Sequence, residues 1–337
     1  MNSLDRCHPA AALRLASAVL LLGGFLQDAV AFGGVGLLSE CPSFSTCTAE
    51  LRSNANASVV KEVTGISPGY TLPAGLSPGT TIRRDPVTTN TTAPIRTGDD
   101  PAFLPVTGTP FGAFAFARAQ TDFGTNRGAG STTLGARGID RQGSGSALIE
   151  VRTSALAQSA WRDVFTFSTS GHYHADIAID GHTASHGNTF PSSFEVLGHA
   201  ASAIWSYALD VWDVTRLLPD PDGFLAPALV ASINDGGVEQ RSSFASVLGL
   251  DFDFLAGNAY VITSRLETSA TNNRAIDMFN TVSLRNVALS NGASLSALSG
   301  HDYFAQVAPV PEPSTWLLFA GGLAAMARIA QRRRRDA

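Results

Sequence analysis

The stretch Gly171-His172-Tyr173-His174-Ala175-Asp176-Ile177-Ala178-Ile179-Asp180 alternates between two kinds of side chain. Successive side chains of a β-strand point to opposite faces of its sheet, so this alternation predicts a strand with one polar and one apolar face. The polar set is His172, His174, Asp176 and Asp180, and the apolar set is Tyr173, Ala175, Ile177 and Ile179. We expect the apolar set to face a core.

Further short segments of this kind follow one another from residue 111 onward. They begin at Phe111 and continue at residues 147–152, 163–168, 204–214, 248–254, 259–268, 280–289 and 303–307. Turn signals separate them: Asp180-Gly181, Asp222-Gly223, Asp235-Gly236-Gly237 and Ala256-Gly257-Asn258. This spacing predicts an all-β fold, an antiparallel β-sandwich of jelly-roll-like type.

Composition supports that fold class. Only 15% of the residues are charged, and Gly and Pro contribute 32 and 17 of the 337 residues, which disfavours a long helical bundle or coiled coil. Between residues 63 and 110 there are 8 prolines among many Thr and Gly residues, so we expect extended, edge-like or irregular structure there.

The first 31 residues have the organisation of a secretory signal peptide. Arg6 and Arg14 are followed by an apolar run that ends at residue 25, and Ala29 and Ala31 are the small residues that signal peptidase reads. The run is about half of the ~20 residues that a membrane-spanning helix needs. We therefore predict a signal helix and cleavage after Ala31.

The last residues of the sequence contain three consecutive parts. These are Val310, Pro311, Glu312, Pro313 and Ser314, then the uncharged residues 315–327, then the cluster Arg332, Arg333, Arg334 and Arg335. The two prolines favour an extended segment that exposes Glu312 to a protease. The apolar part predicts a short transmembrane helix, marginal in length, and the arginines resist translocation. We expect the body outside and the tail inside.

These three parts, over residues 309–337, resemble the PEP-CTERM protein-sorting signal. The resemblance implies a Gram-negative export system in which an exosortase, a transpeptidase-like membrane enzyme, recognises Pro311-Glu312-Pro313, often beside exopolysaccharide production. It implies transient retention in the inner membrane, stop of transfer by Arg332 to Arg335, cleavage, and delivery to the outer surface or the extracellular space. A permanent tail anchor is the alternative. The landmarks between residues 160 and 300 are similar to the β-sandwich bodies that precede such tails.

The sequence thus predicts four parts: a signal peptide at 1–31, a Pro/Thr/Gly-rich N-terminal part at 32–110, a β-sandwich body at 111–308 and the sorting signal at 309–337. Without the first and last parts, 16 of the 23 basic and 24 of the 28 acidic residues remain, a formal net charge of −8. An acidic, lysine-poor body is repelled by nucleic acid and anionic lipid, so neither is an expected partner. Soluble neutral polymers and divalent cations remain as partners that the charge allows, and the resemblance adds exopolysaccharide as a candidate partner.

The cysteines predict a disulfide. Cys7 leaves with the signal peptide, and Cys41 and Cys47 remain as a pair in an oxidising compartment. Metal ligation by this pair is the alternative, although no histidine lies nearby in sequence.

Five of the seven histidines lie close together in sequence: His172, His174, His182, His186 and His199. On the predicted strand, His172 and His174 present two imidazoles to one cation, and Asp176 or a loop histidine supplies a third ligand for zinc. The alternative is an exposed polar face whose histidines do not converge. The Gly-His-x-His fragment resembles cupins, but no glutamate follows at residues 177–181, so we infer no cupin site.

Carboxylates and aromatic residues offer weaker candidates. Asp220-Pro221-Asp222-Gly223 resembles part of a calcium loop but lacks the later acidic ligands of an EF-hand. Glycosidases need paired carboxyl groups, and the candidate pairs are Asp251 with Asp253 and Asp210 with Asp213. Aromatic residues that stack on sugars if exposed, but are more often core, are Trp161, Trp205, Tyr207 and Trp212.

These patterns favour a non-catalytic, exported protein with a structural or adhesive role at the cell surface or in a biofilm matrix. No cofactor is required, and Ca²⁺ and Zn²⁺ are the candidate ions. Two alternatives remain: an exported metal-dependent hydrolase that uses the His172–His199 cluster, and a carbohydrate-binding module. Three convergent histidines in a cleft would favour the hydrolase. A row of exposed aromatic residues would favour the carbohydrate-binding module, and a flat polar surface would favour the structural role.

Overall fold

The computed structural model describes residues 47–71, 81–83, 87–91, 95–104, 113–133, 135–186, 192–198, 200–219, 225–238 and 243–305. Every regular element within these ranges is a β-strand. No helix in them has the length and apolar character needed to cross a membrane. The predicted signal helix and C-terminal transmembrane helix fall outside the described residues.

The strands are numbered along the chain. They are β1 Glu50–Thr64, β2 Thr81–Arg83, β3 Val87–Thr91, β4 Ile95–Leu104, β5 Ala113–Asp122, β6 Thr125–Thr133, β7 Ala136–Gln142, β8 Gly145–Phe167, β9 Gly171–Ser185, β10 Phe194–Gly198, β11 Ser202–Pro219, β12 Leu225–Val238, β13 Ser243–Phe254, β14 Ala259–Thr271, β15 Arg274–Leu289 and β16 Leu295–Ala297.

The strands form two antiparallel sheets of ten and six strands. In the larger sheet the 23-residue β8 is central: β1 and β16 pair along one edge, and β7 and β14 pair along the other. β14 is followed by β11 and then β12. The smaller sheet has the order β13-β9-β15-β6-β5-β4.

The two sheets lie face to face in a sandwich-like arrangement. β1 lies over β4 and β5, β8 over β5 and β6, β14 over β6 and β15, and β12 beside β13. A shared core of large side chains fills the space between them, including Trp161, Phe165, Tyr173, Ile177 and Leu209. The prediction of an all-β, antiparallel fold is therefore confirmed.

Glycines inside strands correct two predicted turns. Asp180-Gly181 and Asp235-Gly236-Gly237 lie within β9 and β12, which continue through them. A Cβ atom on Gly181 would lie 2.6 Å from the Phe244 ring, and one on Gly236 would lie 2.6 Å from the carbonyl oxygen of Trp205. These glycines permit close packing and do not reverse the chain. The turn at Ala256-Gly257-Asn258 is confirmed.

Other strand predictions need adjustment. The two predicted at residues 147–152 and 163–168 lie in the single strand β8, which ends at Phe167. The 15-residue β1 was not predicted at all, although it pairs with β8 over its full length. The predicted strand at 303–307 is wrong in its described part, because Tyr303 lies in a turn that directs its ring into the core.

Both ends of the described fold are bound to consecutive residues of β8. Arg162 is 1% exposed, and its guanidinium donates from Nε to the Thr48 carbonyl oxygen (2.9 Å) and from Nη2 to Glu50 Oε2 (2.8 Å). The next residue, Asp163, is fully buried and accepts hydrogen bonds from the Ser299 amide (3.0 Å), the Ser299 hydroxyl and the Tyr303 hydroxyl (2.8 Å). The first and last described segments therefore converge on one place in the sheet.

Candidate functional site

A group of imidazoles and carboxylates lies on the outer face of the smaller sheet, where β9 pairs with β13. His174 stands opposite Asp251, and His172 stands opposite Asp253. We call these four residues the His–Asp cluster. Their neighbours in sequence point inward and are buried, as the alternation of polar and apolar residues predicts.

Each imidazole of the cluster has a carboxylate partner. The His172 ring contacts Asp253 Oδ1 through Nδ1 (2.9 Å) and Asp251 Oδ1 through Nε2 (3.3 Å). His174 Nδ1 contacts the same Asp251 oxygen at 2.7 Å. Asp251 therefore bridges both histidines and links the edge strand β13 to β9.

Asp176 lies beside the cluster on the same face. Its Oδ1 is 3.6 Å from His174 Nε2, and its Oδ2 accepts a hydrogen bond from the Asn286 side chain of β15 (2.7 Å). His172, His174 and Asp176 thus share a face, but among the described residues no three His, Cys, Asp or Glu side chains are arranged to hold a metal ion. The zinc site at these residues stays a prediction.

The electrostatics of the cluster favour its charged forms. Hydrogen bonds to Asp253 first, and then to Asp251, raise the pKa of His172. Hydrogen bonds from His174 first, and from His172, lower the pKa of Asp251. Both shifts stabilise imidazolium–carboxylate pairs, so the arrangement is suited to holding two strands together by charge-assisted hydrogen bonds.

Among the described residues, His182 and His186 do not join this cluster. His182 lies exposed on β9, about 27 Å from His174 along the strand at ~3.4 Å per residue. His186 Nε2 contacts the Ser131 hydroxyl of β6 at 3.1 Å. His199 lies outside the described residues. The structure thus brings together two of the four histidines of this group that it describes.

The remaining candidates are separated or engaged elsewhere. Asp213 is buried and accepts hydrogen bonds from the amides of Thr215 and Arg216, whereas Asp210 accepts one from Ser232. The calcium-loop residues Asp220 and Asp222 lie outside the described residues. Trp161, Trp205 and Tyr207 are buried in the core, as expected, and Trp212 is partly buried.

One cysteine of the predicted pair is described. Cys47 is disulfide-bonded and buried, and it packs in a small apolar cluster with Val164, Val214 and Val261. Cys41 lies outside the described residues, so its pairing with Cys47 stays a prediction.

Sequence reasoning missed a shallow pocket of about 350 Å³ on the outer face of the larger sheet. Its lining includes Ser206, Ala208, Asn234, Asp235, Gly236 and Arg265, from β11, β12 and β14. Ser206 and Ala208 are both small, and alternation along the predicted strand at 204–214 places them on the same face. The walls depend on the register with β12 and β14, which no local pattern encodes.

Comparison with known proteins defines the C-terminal part of the chain. Residues 309–335 match the family model described as the PEP-CTERM protein-sorting motif. This match confirms the resemblance, and it includes Val310 to Ser314 and Arg332 to Arg335, all outside the described residues. The motif marks an exported surface protein that an exosortase processes. No curated protein and no solved structure matches the chain.

Proposed function

We propose that this protein is a structural or adhesive component of the outer cell surface or extracellular matrix, with a jelly-roll-like sandwich body that has no catalytic activity of its own. The observation that carries the proposal is the sorting motif at residues 309–335, which begins four residues after the last described residue of the β-sheet body, Ala305. A signal peptide cleaved after Ala31 starts export, and the inner membrane holds the precursor transiently.

The non-catalytic role has support from the His–Asp cluster. His172 and His174 lie on an exposed sheet face and are each hydrogen-bonded to aspartate. The hydrogen bonds that raise the pKa of His172 and lower that of Asp251 favour imidazolium–carboxylate pairs between β9 and β13, which hold the two strands together. The cluster is therefore suited to holding β9 and β13 together on an exposed face of the sheet.

Intact-mass analysis tests the processing step. The full chain is expressed in a host that carries an exosortase, and the extracellular protein is compared with variants Pro311→Ala and Glu312→Gln. We expect a wild-type species that begins after Ala31 and ends near residues 311–313, and retention of both variants in the inner membrane. Gln306→Ala, outside the motif, is the matched control. Recovery of the intact wild-type C-terminus from membranes would favour a permanent anchor and overturn the proposal.

Rescue of a deletion strain tests the role of the body. Loss of the protein is expected to reduce adhesion or matrix retention, measured as cells held on a surface under flow. The wild-type gene and the double variant His172→Ala/His174→Ala should restore adhesion equally. Restoration by the wild type alone, with loss of a hydrolytic activity in the double variant, would contradict a non-catalytic role.

A further inference from the structure

We propose that the outer face of the larger sheet binds a neutral polysaccharide chain in the pocket along β11, which we call the β11 trough. It is defined by six residues of three strands: Ser206 and Ala208 of β11, Glu267 and Arg265 of β14, and Gly236 and Asn234 of β12. The proposal deepens the proposed function, because it names the class of polymer that the exported body contacts.

The floor and one wall of the trough follow from the pairing of β11 with β14. Ser206 is opposite Glu267, and Ala208 is opposite Arg265. Opposite residues of antiparallel strands project from the same face with Cβ atoms about 5 Å apart. Two small residues beside two long ones therefore make a low floor next to a polar wall.

The second wall comes from β12. Ala208 is opposite Asn234, whose amide nitrogen donates to the Ser232 hydroxyl (3.0 Å), and that hydroxyl donates to Asp210 (2.6 Å). This chain of hydrogen bonds holds the Asn234 amide in place. The wall is thus preorganised, which lowers the entropy lost when a ligand is ordered.

Gly236 keeps the trough open beside Ser206. A Cβ atom at Gly236 would lie 2.6 Å from the Trp205 carbonyl oxygen and 2.8 Å from the Ser206 Cα. The backbone of β12 therefore approaches β11 closely, and no side chain covers this part of the floor. The Gly236 amide donates to Asp235 Oδ1 at 2.8 Å.

The chemistry of the lining selects the ligand. The hydroxyl of Ser206, the amide of Asn234 and the guanidinium of Arg265 supply donors, and the amide and carboxylate oxygens supply acceptors. Sugar hydroxyls donate and accept at the same atom, so they match such a mixed surface. Two carboxylates in or beside the trough outnumber Arg265, namely Asp210 and Glu267. This local charge opposes a polyanion.

The shape also fits a chain. The volume of about 350 Å³ is at the lower end of the range for small-molecule pockets, as expected for an open trough that holds part of a polymer. Farther along the same face of β11 lies Trp212, which is partly buried. It lies about 20 Å from Ser206 at ~3.4 Å per residue, within reach of an extended oligosaccharide.

Affinity electrophoresis of the full chain, in gels that contain dextran, amylose, galactomannan or mixed-linkage β-glucan, tests the site. We expect at least one of these neutral polysaccharides to retard the protein in a salt-insensitive manner. Asn234→Ala and Arg265→Ala should each weaken binding about tenfold, the effect of losing one hydrogen bond that involves a polar or charged group. Ala208→Gln, which fills the floor, should abolish retardation.

Two controls keep the test interpretable. His172→Ala, on the opposite sheet, should bind as the wild type does, and thermal unfolding should show that every variant is folded. Wild-type affinity in all three trough variants, or no retardation in any neutral polysaccharide, would overturn the proposal. Salt-sensitive binding to alginate alone would indicate a polyanion site instead. The intact-mass assay of processing is independent, so failure of the trough and failure of the proposed function are distinguishable.

Discussion

At the scale of single residues, His172 makes the strength of one strand pairing depend on pH. Its raised pKa adds stability that is fully present below the pKa of an unfolded histidine, about 6.5, and lost as the pH rises through the folded value. The lowered pKa of Asp251 adds stability that is present above about 3.9 and lost as the pH falls through the folded value. The cluster therefore contributes most in the mildly acidic range.

Titration of the His172 ring by NMR checks this. We expect a pKa above the ordinary histidine value, and a larger decrease in Asp253→Asn than in Asp251→Asn, because Asp253 is the leading cause of the shift. Asp210→Asn, on the outer face of the other sheet, should leave the titration unchanged. A His172 pKa that does not respond to loss of Asp253 would refute this account.

Gly236 and Gly237 form a matched pair for a second test. Gly236 has φ of 156° and a close backbone approach to β11, so Gly236→Ala should lower the free energy of unfolding by roughly 1 to 3 kcal/mol through overpacking. A Cβ atom on Gly237 meets nothing within 4 Å, and Gly237→Ala should stay within about 0.5 kcal/mol of the wild type. Urea denaturation measures both, and equal effects would show that the close approach is not the cause.

At the scale of elements, the C-terminal segment is attached to β8 through a buried hydrogen bond. The Tyr303 hydroxyl donates to Asp163, and its ring packs edge-on against Phe165 with centroids 4.7 Å apart. Burial, and then the charge of Asp163, raise the pKa of Tyr303, so the hydroxyl keeps its proton and remains a donor. This contact fixes the described residues that follow β15, 290–305, in which the only strand is the three-residue β16.

Two tyrosine-to-phenylalanine variants separate this bond from ring packing. Tyr303→Phe removes the bond to a buried carboxylate and should lower the free energy of unfolding by roughly 1.5 to 3 kcal/mol. Tyr173 is also buried, but its hydroxyl has no hydrogen-bond partner among the described residues, so Tyr173→Phe should be neutral or stabilising. Thermal and urea unfolding give both values. Equal losses in the two variants would contradict the role of Asp163.

At the scale of the whole molecule, local sequence patterns predicted the strands better than their partners. Residues 172–180 alternate strongly, and residues 259–268 begin with the apolar run Ala259-Tyr260-Val261-Ile262; both lie within strands of the fold. β1 escaped prediction because its inward side chains include Ala55 and Ala57. Small residues suffice where the sheets come close, and they give a weak pattern.

For the candidate sites too, sequence patterns predicted which residues share a face but not which residues of other strands they meet. The shared face of His172 and His174 follows from alternation alone. Their partners Asp251 and Asp253 are about 80 positions away in sequence, and the floor and walls of the β11 trough together come from three different strands. Such pairings depend on non-local register, which the core as a whole determines. The sorting motif needed no fold, because its three parts are contiguous in sequence.

The attachment of the C-terminal segment to Asp163 has a mechanical consequence. In the proposed function, in which the inner membrane holds the precursor by its C-terminal residues, drag on the body would be transmitted through Ala305 to Tyr303 and Ser299. Only three strand residues, Leu295–Ala297, stand between these contacts and the turn that leads back to β15. A pulling force would therefore detach this short segment from β8 first and would leave the long β8–β14 pairing intact.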